Sequence, residues 1–201
     1  MLIWVLGGVL LCAASVLLAW MLLLPGAVQS RLSAATGAQF SVQGLMGDPF
    51  AGRATATGWT LRASPALDSP LLARGGATEI VASDWRAALA GENAGSIVID
   101  RLDLVISEAV LAPDKKGSWR LLALAAGAGL PYERDGKIGE GPRLRIAHLR
   151  LSVETLIVRD AKTGRDTPVH IAWRGEFREL EHTRPVVAAL LAAARGEAPA
   201  P

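Results

Sequence analysis

The stretch SIVIDRLDLVISEAVL, residues 96–111, decides the reading of this chain. Ile97, Ile99, Leu102, Leu104 and Ile106 share one face of an extended strand if a bulge sits near Asp100-Arg101. Such a bulge adds one residue and restores the two-residue phase of strand side chains. RLRIAHLRLSVETLIVR, residues 143–159, is a second long strand region, with Leu144, Ile146, Leu149, Leu151, Val153 and Ile157. Paired in one sheet, the two strips give that sheet an oily face, and large exposed apolar patches are rare on monomers.

Working outward, Phe40 and Val42 alternate with polar neighbours. After the turn Gly47-Asp48-Pro49, Ala54 to Leu61 alternates again, with an irregularity expected at Gly58. This pattern predicts a hairpin. Ala63 to Gly76, with two prolines, reads as a loop, and Thr78 to Trp85 as a third strand. On the other side, Pro113 to Gly117 reads as a turn and Trp119 to Leu124 as a returning strand. Ala125 to Pro142 reads as an exposed, mobile loop. Asp160 to Asp166 is a polar hairpin turn into a final strand holding Val169, Ile171 and Trp173. Thr183 is placed to cap a closing helix begun by Pro185. That helix is expected to show Val186, Val187, Leu190 and Leu191 on one face, with Gly196 past its end.

The first end of the chain differs in kind. No side chain from Met1 to Ser30 is charged, and Leu2 to Leu24 is a mostly apolar run of 23 residues. As a helix it would reach roughly 34 Å, enough to cross a hydrocarbon core. Trp4 and Trp20 stand near its ends, where indoles favour the interface, and Pro25-Gly26 stops it. The run is long for a signal peptide and lacks a basic leader, so an uncleaved anchor is expected. Much of the positive mean hydropathy, +0.31, resides there.

The single cysteine, Cys12, lies in that run, which excludes an intrachain disulfide framework or a zinc cluster. The net charge of +2 is slight and the basic residues are scattered, so nucleic acid is not an expected partner. His148, His170 and His182 show no metal-binding spacing, and there is no nucleophile elbow or phosphate-binding glycine loop. Asp100 and Asp103 flank Arg101, a pair better suited to a solvated strand face than to a catalytic cleft. No catalytic, cofactor-binding or metal-binding residue is therefore assigned.

The order of these features carries a resemblance. After the apolar helix come RLSAATGAQFSVQGLMGDPFAGRATATGWTLR and ATEIVASDWRAALAGENAGSIVIDRLDLVISEAVLAPDKKGSWRLLAL. With Thr36-Gly37, Ile97 to Val110 and Gly117 to Leu124 as the matching stretches, this resembles the N-terminal part of AsmA-like proteins of the Gram-negative envelope. IAHLRLSVETLIVRDAKTG is similar to a later phrase of that family. The chain departs from the family at Arg120 and in being short.

The resemblance implies a periplasmic β-groove and a role in envelope lipid homeostasis or outer-membrane biogenesis. The fold expected is mainly β: a transmembrane helix, then a curved antiparallel sheet shaped as a groove, then a short C-terminal helix. The expected divisions are an anchor over 1–26, a β-rich envelope domain over 27–196 and a disordered tail over 197–201. The expected location is the bacterial inner membrane, single-pass, with the domain in the periplasm. That placement follows the resemblance, since every Lys and Arg lies after the helix and charge alone favours the cytoplasm. The function expected is a non-catalytic scaffold or binding module whose partners are the bilayer and either lipid acyl chains or envelope proteins. A lipid-transfer module and an accessory subunit of a secretion or membrane-protein complex are the alternatives. The candidate lipid or partner groove is Ile97, Ile99, Leu102, Leu104, Leu144, Ile146, Leu149 and Leu151.

Overall fold

The computed structural model describes residues 26, 30, 38–48, 50–63, 71–83, 96–112, 120–127, 129–137, 143–160 and 163–196. Six strands form one sheet in sequence order: β1 (Gln39–Asp48), β2 (Arg53–Arg62), β3 (Leu71–Val81), β4 (Ser96–Leu111), β5 (Arg143–Arg159) and β6 (Asp166–Leu180). Helix α1 (Arg120–Gly127) lies between β4 and β5, and α2 (Arg184–Ala194) follows β6. The expected mainly β class holds. Among the described residues no helix is long and apolar enough to cross a membrane. The expected anchor run, residues 2–24, and the tail, 197–201, lie outside the described residues.

β4 and β5 coincide with the two strand regions read from the sequence, and each is longer than a typical strand. Their relation differs from the expected one. The sheet is mixed, because β4 and β5 run parallel while every other neighbouring pair is antiparallel. Parallel neighbours need a long crossover to bring the chain back to the same end. Residues 112–142 supply it, with α1 inside. The segment RLLALAAG, expected as a strand from Trp119, is this helix instead. Its Leu and Ala residues are strong helix formers, and Leu121 packs against the core.

β3 begins at Leu71, inside the expected loop. Leu72 and Ala73 are buried there, at 2% and 4% exposure. Gly75 belongs to the strand because Trp59 lies across it: a Cβ on Gly75 would meet two indole carbons at 2.5 Å. The composition of a loop thus reflects the space an indole takes. The Trp59 indole N–H donates to the Thr78 hydroxyl at 3.0 Å within the sheet.

Part of the expected mobile loop is a strap. Leu130 is buried in the core, and the Leu144 amide donates to the Gly129 carbonyl. The Thr183 and Arg184 amides donate to the carbonyls of Pro131 and Tyr132 at 2.7 and 3.0 Å. These bonds tie the start of α2 to the segment before β5. Thr183 sits at the N-cap, but its hydroxyl donates to the Pro131 carbonyl and makes no capping bond. Gly196 ends the helix with φ +73°, the left-handed conformation glycine adopts freely. The face of α2 that packs on the core is Val186, Ala189, Leu190, Ala193 and Ala194, each partly buried. Val187, expected on that face, is not among the packed residues, and Leu191 is 38% exposed. The three- and four-residue spacing of the smaller alanines brings the helix onto the sheet.

The core gathers on β5 and its neighbours. Ile146, Leu149, Leu151, Val153 and Leu156 are each at most 4% exposed, joined by Ala109, Leu130, Trp173 and Leu180.

Candidate functional site

Tracing the ladder from strand to strand shows how the residues align. One row runs Val42, Trp59, Gly75, Ile106, Val153 and Trp173 across all six strands. The next runs Leu45, Ala56, Thr78, Leu104, Leu151 and Gly175, and the next Gly47, Ala54, Ile80, Leu102, Leu149 and Phe177. A further row holds Phe40, Leu61, Ala73, Ala109, Leu156 and Val169. Residues directly opposite one another share a face. These four rows therefore consist of apolar residues and glycines, with Thr78 as their polar exception. Five gaps of ~4.8 Å make that face about 24 Å wide across the strands.

β4 and β5 keep their rows because these two strands change phase together, whereas the register shifts between β2 and β3, between β3 and β4 and between β5 and β6. Some rows are two residues apart, but Ile99 to Leu102 and Ile106 to Ala109 on β4, and Ile146 to Leu149 and Val153 to Leu156 on β5, are three-residue steps. The ladder passes from Ile99↔Ile146 to Arg101↔His148 and skips Asp100 and Ala147. The one-residue bulge expected near Asp100-Arg101 is not found between β4 and β5: both strands make the same three-residue step and their register does not shift. β6 answers with Glu179, whose φ is +52°. A second such line crosses β1 to β3, where Val42 to Leu45 faces a step holding Gly58 at φ +67°.

The eight groove candidates fall in register. Ile97 pairs with Leu144, Ile99 with Ile146, Leu102 with Leu149 and Leu104 with Leu151. Ile146, Leu149 and Leu151 are closed core, whereas Ile97, Ile99, Leu102, Leu104 and Leu144 are partly buried. The same face on β1 and β2 is more open than on β5, apart from the buried Trp59. Phe40, Val42, Leu45, Ala54, Ala56 and Leu61 are all only partly buried. Sequence reasoning placed the groove on β4 and β5 because their Ile and Leu side chains are largest and most numerous. The alternation in β1 and β2 was visible but carried small residues and a glycine.

The opposite face is charged. One row there runs Met46, Thr55, Glu79, Asp103, Arg150 and Glu176. Arg53 pairs with Glu79 at 3.0 Å, Arg74 with Glu108 at 2.6 Å, Arg150 with Glu176 at 3.1 Å, and Arg101 with Asp103. The hydrogen bond from Arg101 holds the Asp103 carboxyl below its ordinary value. Asp166 is held low in the same way by Arg159, and Asp48 by the amides of Ala51 and Phe50. Asp100, read beside Asp103, instead accepts the Ser83 amide. The two carboxylates thus have separate partners.

A depression of about 330 Å³ lies in this region, lined by Asp103, Arg150, Ser152, Arg174 and Glu176 among others. His148 stands 3.6 Å from Glu176, and His170 bonds Thr155 at 3.4 Å. Among the described residues no group of three or more His, Cys, Asp or Glu side chains is placed to hold a metal ion. The site the fold builds is therefore a two-sided sheet, one side suited to hydrocarbon and the other to water. No family model, curated protein or solved structure matches this chain.

Proposed function

We propose that this chain is a non-catalytic, membrane-anchored binding module of the bacterial cell envelope, of AsmA-like type, whose apolar sheet face takes lipid acyl chains. The observation that carries the proposal is the set of predominantly apolar rows across six strands, closed over β5 and only partly covered over β1 and much of β2 and β4. Burying apolar surface stabilises by about 25 cal/mol per Å². An acyl chain laid along Phe40, Val42, Leu45 and Leu61 would draw on that term without needing any polar group. The face is too narrow for a conduit between two membranes by itself. It suits local holding of a lipid, or one part of a longer assembly.

The test uses the full chain purified in mild detergent and titrated with a fluorescent fatty acid. Saturable binding is expected, and Leu45→Asp should reduce it at least tenfold while the circular dichroism spectrum is kept. Absence of saturable binding by the unmodified protein would overturn the proposal.

The periplasmic placement has its own measurement. Phe50 is 91% exposed at the β1–β2 turn. In a Cys12→Ala background, Phe50→Cys should react with a membrane-impermeant thiol reagent once the outer membrane is opened. Labelling that requires lysis of the inner membrane would place the domain in the cytoplasm.

A further inference from the structure

Among the described residues the sheet ends in β1 and β6, and these two strands are built very differently. β6 carries Pro168, the charges Arg174, Glu176, Arg178 and Glu179, and positive φ at Ala172 and Glu179. Proline, charges and bulges on an edge strand block the addition of another strand. β1, QFSVQGLMGD, has no proline and no basic residue, and its one charge, Asp48, is its last residue. That carboxylate is already engaged by the Phe50 and Ala51 amides.

The sequence of β1 also says which strand fits beside it. Its apolar-face residues are Phe40, Val42, Leu45 and Gly47, two-residue steps on either side of a three-residue step. That spacing reads the same in both directions. An antiparallel copy of β1 matches it when Phe40 of each copy faces Gly47 of the other and Val42 faces Leu45. Shifting by one residue or two sets an apolar side chain against a polar one. The match also joins large to small, placing a Phe ring across from a glycine. This sheet already makes that arrangement once, where Trp59 pairs with Gly75. On the charged face Ser41 would face Met46, which is 66% exposed, and Asp48 would face Gln39, so no like charges meet.

We propose that β1 is the seam of a homodimer, two copies paired antiparallel along this strand with Gln39 opposite Asp48. The pairing would make one sheet of twice the strands. Its apolar face would be continuous and about 53 Å wide, from eleven gaps of ~4.8 Å. The inference does not depend on which molecule the apolar face binds.

The test uses the full chain in isolated membranes, with Cys12→Ala removing the only native cysteine. Ser41→Cys with Met46→Cys should give a disulfide-linked dimer on mild oxidation, and Gln39→Cys with Ser41→Cys should not. Ser41 and Met46 are both exposed, so charges are tolerated there by the fold. Ser41→Lys with Met46→Lys should convert the detergent-solubilised dimer to monomer in light scattering, and Ser41→Lys with Met46→Glu should restore it. A monomeric unmodified protein, equal cross-linking by the two cysteine pairs, or cross-linking to a different protein would each overturn the proposal.

Discussion

Leu151→Asp is expected to unfold the domain, while Leu45→Asp, in the same row of the same face, is expected to leave it folded. Leu151 is 4% exposed, between Leu104 on one neighbouring strand and Gly175 on the other. A carboxylate there loses its hydration, and the residues beside it offer no cation. Burying an unpaired charge belongs to the severe class of substitutions, about 4 kcal/mol or more, against a typical domain stability of about 5–15 kcal/mol. Leu45, four strands away, is only partly buried, so a carboxylate there can keep part of its water. Urea denaturation followed by circular dichroism separates the two. Equal midpoints for both variants would show that the face is uniformly open and would remove the distinction between a closed and an open half.

Gly75→Val is expected to cost about 3 kcal/mol and to release Trp59 from the sheet. A Cβ at Gly75 would lie 2.1 Å from the Val105 carbonyl oxygen and 2.5 Å from two atoms of the Trp59 indole. The backbone oxygen cannot move without disturbing the β3–β4 ladder, and the indole cannot move without breaking its bond to Thr78. Overpacking of this kind usually costs about 1–3 kcal/mol, and the lost buried hydrogen bond adds about 1 kcal/mol. The expected readouts are a lower denaturation midpoint and a red-shifted tryptophan emission. A Gly75→Val protein with unchanged emission would mean that the indole does not rest on this glycine. Gly164, with open space around it and φ +67°, provides a contrast. Gly164→Ala should cost only the strain of a left-handed residue, on the order of 1 kcal/mol.

The candidate site was legible in part. The strips on β4 and β5 were readable because each holds several large aliphatic residues at strand spacing, and the phase change near Asp100 showed in the three-residue gap between Ile99 and Leu102, although it is a step that β5 shares rather than a bulge. The start of β3 was not readable, because Gly75-Gly76 has the composition of a loop and its reason is an indole from another strand. The segment after Trp119 was misread because so short an apolar run fits helix and strand equally well. The strap at Gly129 to Tyr132 was hidden for a similar reason: its backbone bonds go to residues far along the chain.

What the sequence determined by itself is local: where the long strands lie, which of their side chains share a face, and where the phase must change. Those properties follow from side-chain spacing and need no partner. The tertiary structure decided the rest. The return of the chain through α1 makes β4 and β5 parallel, so that two equal strips meet in one register. The packing of α2 and of the strap closes the apolar face over β5 and leaves it more open over β1 and β2. Coverage is a relation between distant segments, and spacing along the chain does not contain it.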